Sequence, residues 1–401
     1  MHIYLHNSKK SCIFAPNFEI ITYNITLMKF NVSSSAMFAQ LQAVSKVIAP
    51  KNSLQILEDV LFDLQGNELT MTASDGETTI RTAIEVENAE GQGKVASGAK
   101  LLLETLKEFP EQPLTFQIDD QNFSINITSA NGTYSFVGAN GNEYPEMAVE
   151  GEETGRIAIP ANVLLDAVNK TIFCTADDEL RPVMNGIYFD MQEDKVVLVA
   201  TDAHRLVRYT NKSVHATAAM NFILPKKPAN LLKNVLAKEE GEVNIIFGAK
   251  NARFEFGKTL IVCRQIEGRY PNYNAVIPQN NSNIVTVDRQ TIVNACKRVA
   301  VFANTGTSLI KLALSENSIK ISAQDIDFST SAEETIACSY TGTPMAIGFK
   351  APFLIEILNA VTSADVTLLL ADPARAGLIL PTENEENEDL LMLLMPMLLN
   401  D

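Results

Sequence analysis

The stretch KFNVSSSAMFAQLQAVSKVIA, Lys29–Ala49, decides the fold, because the same grammar returns as RIAIPANVLLDAVNKTIF at Arg156–Phe173 and as IVTVDRQTIVNACKRVAVF at Ile284–Phe302. Each copy opens on a short alternating run that predicts a strand. A polar residue or a proline then starts a stretch whose apolar positions recur at three- and four-residue spacing, which predicts an amphipathic helix.

Working outward, the strand–helix phrase recurs later in each third, at Lys94–Phe109, Phe222–Ala237 and Met345–Val361. An alternating strand follows each of these helices: PLTFQI, EVNIIF and DVTLLL. Between the two helices of each third lie VLFDLQGNELTMTA, IYFDMQEDKVVLVA and IKLALSENSIKISA, where a turn flanked by alternating apolar residues predicts a hairpin. The copies begin roughly 125 residues apart, too far for a solenoid unit and suited to a domain. Polar VEGEETG and PQNNSN mark linkers. The expected organisation is an extension at 1–27 and three similar α+β domains at 28–152, 153–280 and 281–401, each with two helices and mostly antiparallel sheet. The extension has Lys9 and Lys10 but no continuous apolar run of a signal peptide, and a translation start at Met28 is expected.

Composition narrows the function. A net charge of −16, from 32 Lys and Arg against 48 Asp and Glu, argues against a protein that coats nucleic acid over its whole surface. The distribution is uneven, however. The six helix windows (34–48, 97–109, 161–173, 226–238, 289–301 and 350–361) hold 12 basic and 4 acidic residues, which reverses the sign of the molecule. Lys and Arg favour helices and their last turns anyway. Yet a basic helical surface with few aromatics on an acidic body is what sequence-independent phosphate contact requires, rather than base readout or stacking. The cysteines Cys12, Cys174, Cys263, Cys296 and Cys338 are scattered without CxxC spacing, as expected of buried thiols in a reducing compartment. With four histidines and no apolar run long enough to span a bilayer, neither a metal centre, a cofactor nor a membrane is expected, and the cytoplasm is the expected compartment.

The most enzyme-like text is VATDAHRL, Val199–Leu206. Asp202 and His204 could act as an acid–base pair or as two metal ligands of a metal-assisted hydrolase. No third ligand or nucleophile is signalled beside them, and a strand-end turn satisfied by local hydrogen bonds accounts for the same residues. No phosphate loop, dinucleotide fingerprint, nucleophile elbow or HExxH motif occurs. A scaffold whose acidic surface binds basic proteins is a third reading. At the C-terminus the acidic run ENEENED predicts a hairpin loop before a last strand in LLMLLMPMLLND. Pro396 forces that strand out of its ladder, leaving Met395, Met397 and Leu398 to fill core or to line a groove for partner peptides.

With these residues in view, the chain from Met28 onward resembles the bacterial DNA sliding clamps, the β subunit of DNA polymerase III. The marks are the MKF start, RPVMNGIYFD (Arg181–Asp190), VATDAHRL, EGRYPNYNAVIP (Glu267–Pro278) and the final MPM (Met395–Met397). The resemblance implies a non-catalytic processivity factor: a head-to-tail homodimer closing into a ring around double-stranded DNA, helices inside and sheets outside. It implies a cleft between the second and third domains for linear peptides of the polymerase III alpha subunit, the clamp loader, other polymerases and repair proteins. Carried over to that cleft are Arg181, Met184, Thr201, His204, Arg205, Leu206, Pro271, Val276, Met395, Pro396 and Met397, with Thr201, His204 and Arg205 as its polar edge. For DNA the resemblance points to Lys51, Lys100, Lys226 and Lys227, and for the subunit interface to Tyr134 against Val301 and Phe302 of the second copy. Ala203 stands where the family often has Gly, Ala275 where a basic residue occurs, and Leu398 in place of the Arg usual after MPM.

Overall fold

A computed structural model of the chain describes residues 27–146 and 152–399. The expected extension, up to residue 26, most of the first linker and the terminal residues 400–401 lie outside the described residues. The six anticipated helices are α1 (Ser34–Val44), α2 (Ala99–Lys107), α3 (Ala161–Thr171), α4 (Lys226–Val235), α5 (Arg289–Ala300) and α6 (Ala351–Ala360). Each springs directly from the end of a strand. Ser33 Oγ accepts from the Ala36 N–H and Asp288 Oδ1 from the Thr291 N–H, which caps α1 and α5. Pro160 and Pro225 end the strands before α3 and α4, and α6 has Pro352 in its first turn, where a missing N–H costs no helical bond. The helices pack in pairs, α1 on α2, α3 on α4 and α5 on α6, which makes the threefold repeat visible in space.

The repeat also governs the sheets, all antiparallel. α1 lies over the hairpin Glu68–Ser74/Thr78–Glu85, α3 over Val196–Thr201/Arg205–Asn211, and α5 over Ser318–Asp325/Thr330–Ala337. Where the repeats meet, sheets run on without a break. Thr78–Glu85 pairs with Thr259–Arg264, the last strand of the second repeat, and completes a nine-stranded sheet. Arg205–Asn211 pairs with Glu388–Leu394, the last strand of the third repeat, and completes an eight-stranded sheet. At the two ends of the chain, a five-stranded sheet stops at the edge strand Thr133–Val137 and a four-stranded sheet at Thr330–Ala337.

One apolar core runs along the helix side of all four sheets. Met37, Leu41 and Val44 of α1 are fully buried in it, as are Leu164 and Val168 of α3 and Ile292, Val293 and Cys296 of α5. Each such side chain contributes roughly 1.5–3 kcal/mol by leaving water. Alternation assigns Val196, Leu198, Ala200, Val207, Met392 and Leu394 to this core. Val197, Val199, Leu206, Leu391 and Leu393 therefore emerge on the opposite face of the eight-stranded sheet.

Candidate functional site

That opposite face carries a second apolar cluster of its own. Val197, Val199, Leu206, Ile223, Leu378, Leu391 and Leu393 form its floor, and Tyr270, Tyr273 and Ile277 of the connector between the second and third repeats close over it. Tyr270 stacks on Tyr188 with centroids 4.6 Å apart. Its hydroxyl donates to the Val199 carbonyl at 3.5 Å. Tyr273 Oη donates to Asp190 Oδ2 at 2.8 Å, and burial together with that carboxylate pushes its phenol well above the ordinary value. The connector is thus pinned by its tyrosines, while Pro271 between them and Val276 just after them stay exposed at the edge of the cluster. Val183 packs on the same cluster and carries its neighbours Arg181 and Met184 beside it. The sequence reading named only Leu206 of the floor. The continuous apolar runs VVLVA and LLMLL were the available signal, because a strand apolar at every position has both faces covered.

The turn Thr201–Arg205 carries the expected polar edge, and much of it is bonded within the protein. Thr201 is buried, its Oγ1 donating to the Arg205 carbonyl and accepting from the Ala203 N–H. Arg205 is 6% exposed. Its Nε donates to Asp202 Oδ2 at 3.0 Å, its Nη2 to the Phe173 carbonyl at 2.8 Å, and its Nη1 to Glu356 Oε2 of α6. The guanidinium also lies over the rings of Phe353 and Phe173, at 4.3 and 5.3 Å. The polar atoms of Thr201 and Arg205, both expected on the rim, are bonded within the protein, and Arg205 ties the second repeat to the third. Only His204 of the three is exposed, its ring beside Phe353 at 6.2 Å. Asp202 is equally committed, since Oδ1 accepts from the N–H groups of His204 and Arg205. No group of three His, Cys, Asp or Glu side chains among the described residues could hold a metal ion. The buried thiols of Cys263 and Cys296 are pushed up to about 12 by burial, which leaves them inert.

The terminal segment completes the site. As expected, the last strand ends before Pro396. The Met395 N–H then donates to the His204 carbonyl at 2.8 Å, and the Met397 N–H to the Gly348 carbonyl at 2.8 Å. These two bonds stretch Met395–Met397 from the turn of the second repeat to a strand of the third. Met395 is 43% and Leu398 80% exposed there. A second tie across this joint is Lys170 of α3. Burial alone would favour its neutral form, but Asp166 and Glu388, at 2.6 and 2.7 Å, hold its ammonium charged above the usual lysine value.

The helix-borne cations sort into committed and exposed. Lys170 is buried, Arg298 pairs with Glu334, and Lys227 donates to Asp75. Lys227 is therefore weakened as an expected DNA contact, because its charge is already neutralised. Lys51, Lys100 and Lys226 are exposed, and Lys46 joins Lys226 and Lys227 around a cavity of about 320 Å³ where the turn after α1 nears α4. Lys46 was not singled out from the sequence. Tyr134, Val301 and Phe302 are 41%, 80% and 40% exposed, beside the two open sheet edges.

Residues 28–148 match the N-terminal domain of the DNA polymerase III beta subunit, residues 158–272 its central domain and residues 274–397 its C-terminal domain. The chain belongs to this family. It is similar to the beta sliding clamps of Pseudomonas putida, 27% identical over 372 residues, and Haemophilus influenzae, 27% identical over 373, each match covering 92% of this chain and 100% of the relative. Among solved structures it resembles the DnaN sliding clamps of Bartonella birtlesii (TM-score 0.86, 27% identity) and Pseudomonas aeruginosa (0.87, 25%), both bound to griselimycin, with 93% of this chain and 100% of each clamp covered. The beta subunit family is one of sliding clamps, processivity factors that tether polymerase without catalysis, and the hydrolase reading finds no support. No helix among the described residues is long and apolar enough to cross a membrane.

Proposed function

We propose that this chain closes into a ring as a head-to-tail homodimer, slides on double-stranded DNA in the cytoplasm, and holds polymerase and repair partners by linear peptides docked on the outer face of its second joint. The observation that carries this reading is the unfinished pattern of the sheets. In the first repeat the strand Thr78–Glu85 meets the last strand of the second, and in the second repeat Arg205–Asn211 meets the last strand of the third. The equivalent strand of the third repeat, Thr330–Ala337, meets nothing within the chain, and the last long strand of the first, Thr133–Val137, is also an open edge. Joining those two edges between copies repeats the same joint a third time. Tyr134 on one side and Val301 and Phe302 on the other supply a small apolar seam, consistent with a ring that can be opened.

The domains are read as 28–152, 153–280 and 281–401. Lys46, Lys51, Lys100 and Lys226 would face the phosphates, so binding is independent of sequence and weakened by salt. On the partner face, Leu206 and Leu393 form the floor, Pro271, Val276, Met395 and Met397 the apolar walls, and His204 the polar edge. Arg181, Met184 and Pro396 flank it. Tethering raises the effective concentration of polymerase, so weak peptide contacts suffice for long synthesis.

The test is topological. After loading onto a nicked circle, the protein is expected to stay bound at high salt and to run off once the circle is linearised. Loss at the same rate from both forms rejects the ring.

A further inference from the structure

The joint strands Thr78–Glu85, Arg205–Asn211 and Thr330–Ala337 are each entered through a turn that an aspartate opens. Asp75 Oδ1 accepts from the N–H groups of Glu77 and Thr78, Asp202 Oδ1 from those of His204 and Arg205, and Asp325 Oδ1 from those of Asp327 and Phe328. The three turns are therefore built alike, and two of them land on the second helix of the following repeat. Asp75 takes Lys227, the second residue of α4. Arg205 reaches Glu356 of α6 and lies over Phe353, the third residue of that helix. The third turn has no following repeat in the chain, and its Ile326 and Phe328 are 79% and 72% exposed. It is nonetheless tied down: Asn304 Nδ2 donates to Asp325 Oδ2 at 3.3 Å, and the Ser329 N–H to the Ile326 carbonyl at 3.2 Å. Of the three second helices, that leaves α2. Its Leu101, third in the helix like Phe353, is 51% exposed, while the fourth residue is buried in all three helices, as Leu102, Ala229 and Leu354.

We propose that the turn Ile326–Ser329 is a latch of the ring, seating Phe328 and Ile326 on Leu101 in α2 of a second copy. The proposal rests on the head-to-tail ring, and it adds to the seam of Tyr134, Val301 and Phe302 a separate contact on the helix side. A second copy is the occupant because the latch is continuous with the open sheet edge: Thr330, the first residue of that edge strand, directly follows the turn. The chemistry also matches. The first joint brings an aspartate to a lysine, and the second a guanidinium to a carboxylate and a ring. The third brings two bare apolar side chains to a bare leucine. Salt screens the phosphate contacts that hold the protein to DNA but leaves apolar burial intact. The latch therefore keeps the ring shut at ionic strengths that loosen its grip on phosphate.

Sedimentation equilibrium of the full-length protein over a dilution series measures the dimer. Phe328→Ser and Leu101→Ser are each expected to raise its dissociation constant about tenfold. The two together should do little more than either alone, because each already removes the shared contact. Both residues are exposed in the single chain, so neither change opens a cavity in the fold. A charged exchange, Phe328→Lys with Leu101→Glu, should recover most of the loss in low salt and give it up in high salt. If the single variants dimerise as tightly as the unaltered protein, the latch is overturned while the ring stands. Losses that simply add, with no recovery by the charged exchange, overturn it as well. Should the unaltered protein sediment as a monomer at every concentration, the ring itself falls, and the latch with it.

Discussion

The two joints inside the chain share a backbone plan and differ in what they turn outward. At the first, Thr78–Glu85 pairs with Thr259–Arg264, setting Arg81 opposite Leu260 and Thr79 opposite Val262 on the outer face. At the second, Arg205–Asn211 pairs with Glu388–Leu394, setting Leu206 opposite Leu393 and Arg208 opposite Leu391. Around the first joint the outer face continues with Thr70, Thr72, Arg253, Glu255 and Lys258 along a groove of about 910 Å³. Around the second it continues with Val197, Val199, Ile223 and Leu378, and the connector tyrosines close over part of it. The helix side of both sheets is equally apolar, so folding accounts for one face only. The apolar outer face at the second joint exceeds what folding the repeats needs, and that excess is where partners are read to dock.

The joints also differ on the helix side, and the largest expected effect lies there. Arg205 is buried between two carboxylates and two aromatic rings, whereas Lys227, which ties Asp75 across the first joint, has a half-exposed side chain. Arg205→Met should cost about 3 kcal/mol, the low end for breaking a buried pair because Glu356 is itself half-exposed. Lys227→Gln should cost less than about 1 kcal/mol. Denaturant unfolding of the two variants checks this, and equal costs would show that the joints are held alike.

The next effect concerns binding. His204→Ala combined with Met397→Ala should weaken partner peptides at least tenfold, about 1.4 kcal/mol, with ring assembly unchanged by analytical ultracentrifugation. Arg81→Ala combined with Arg253→Ala, on the outer face of the first joint, should leave the same peptides unaffected. If the second pair matters as much as the first, the contrast between the two faces does not determine docking.

Much of this architecture is legible along the chain, because the strand–helix phrase is local and repeats six times. The joints are not legible, because pairing Thr78–Glu85 with Thr259–Arg264 depends on register between strands far apart in sequence. The contrast between faces was half-legible: TTIRTAIE alternates and LLMLL does not. A resemblance gives positions and not commitments. Thr201 and Arg205 sit beside the exposed His204, and only the structure shows that their polar atoms are already bonded to the protein. The pairing of Lys227 with Asp75 is illegible for the same reason, since Asp75 is remote in sequence.

The smallest effect sits within the turn that feeds the second joint. Ala203 has φ +73°, in the left-handed region that a Cβ disfavours. The turn is held there by bonds from the backbone N–H groups of Ala203, His204 and Arg205 to Thr201 Oγ1 and Asp202 Oδ1. Such a conformation costs alanine roughly 1–2 kcal/mol, while glycine in its place loses roughly 0.5–1 kcal/mol more chain entropy on folding. Ala203→Gly should therefore stabilise the protein by about 0.5 kcal/mol, read as a higher midpoint in the same denaturant titration. Because the turn also places the His204 carbonyl on the Met395 N–H, peptide affinity should hold or rise slightly. A loss of stability in this variant would mean that the turn relaxes out of the left-handed region when the chain is free to do so, and that the anchoring of Met395 is looser than its 2.8 Å bond implies.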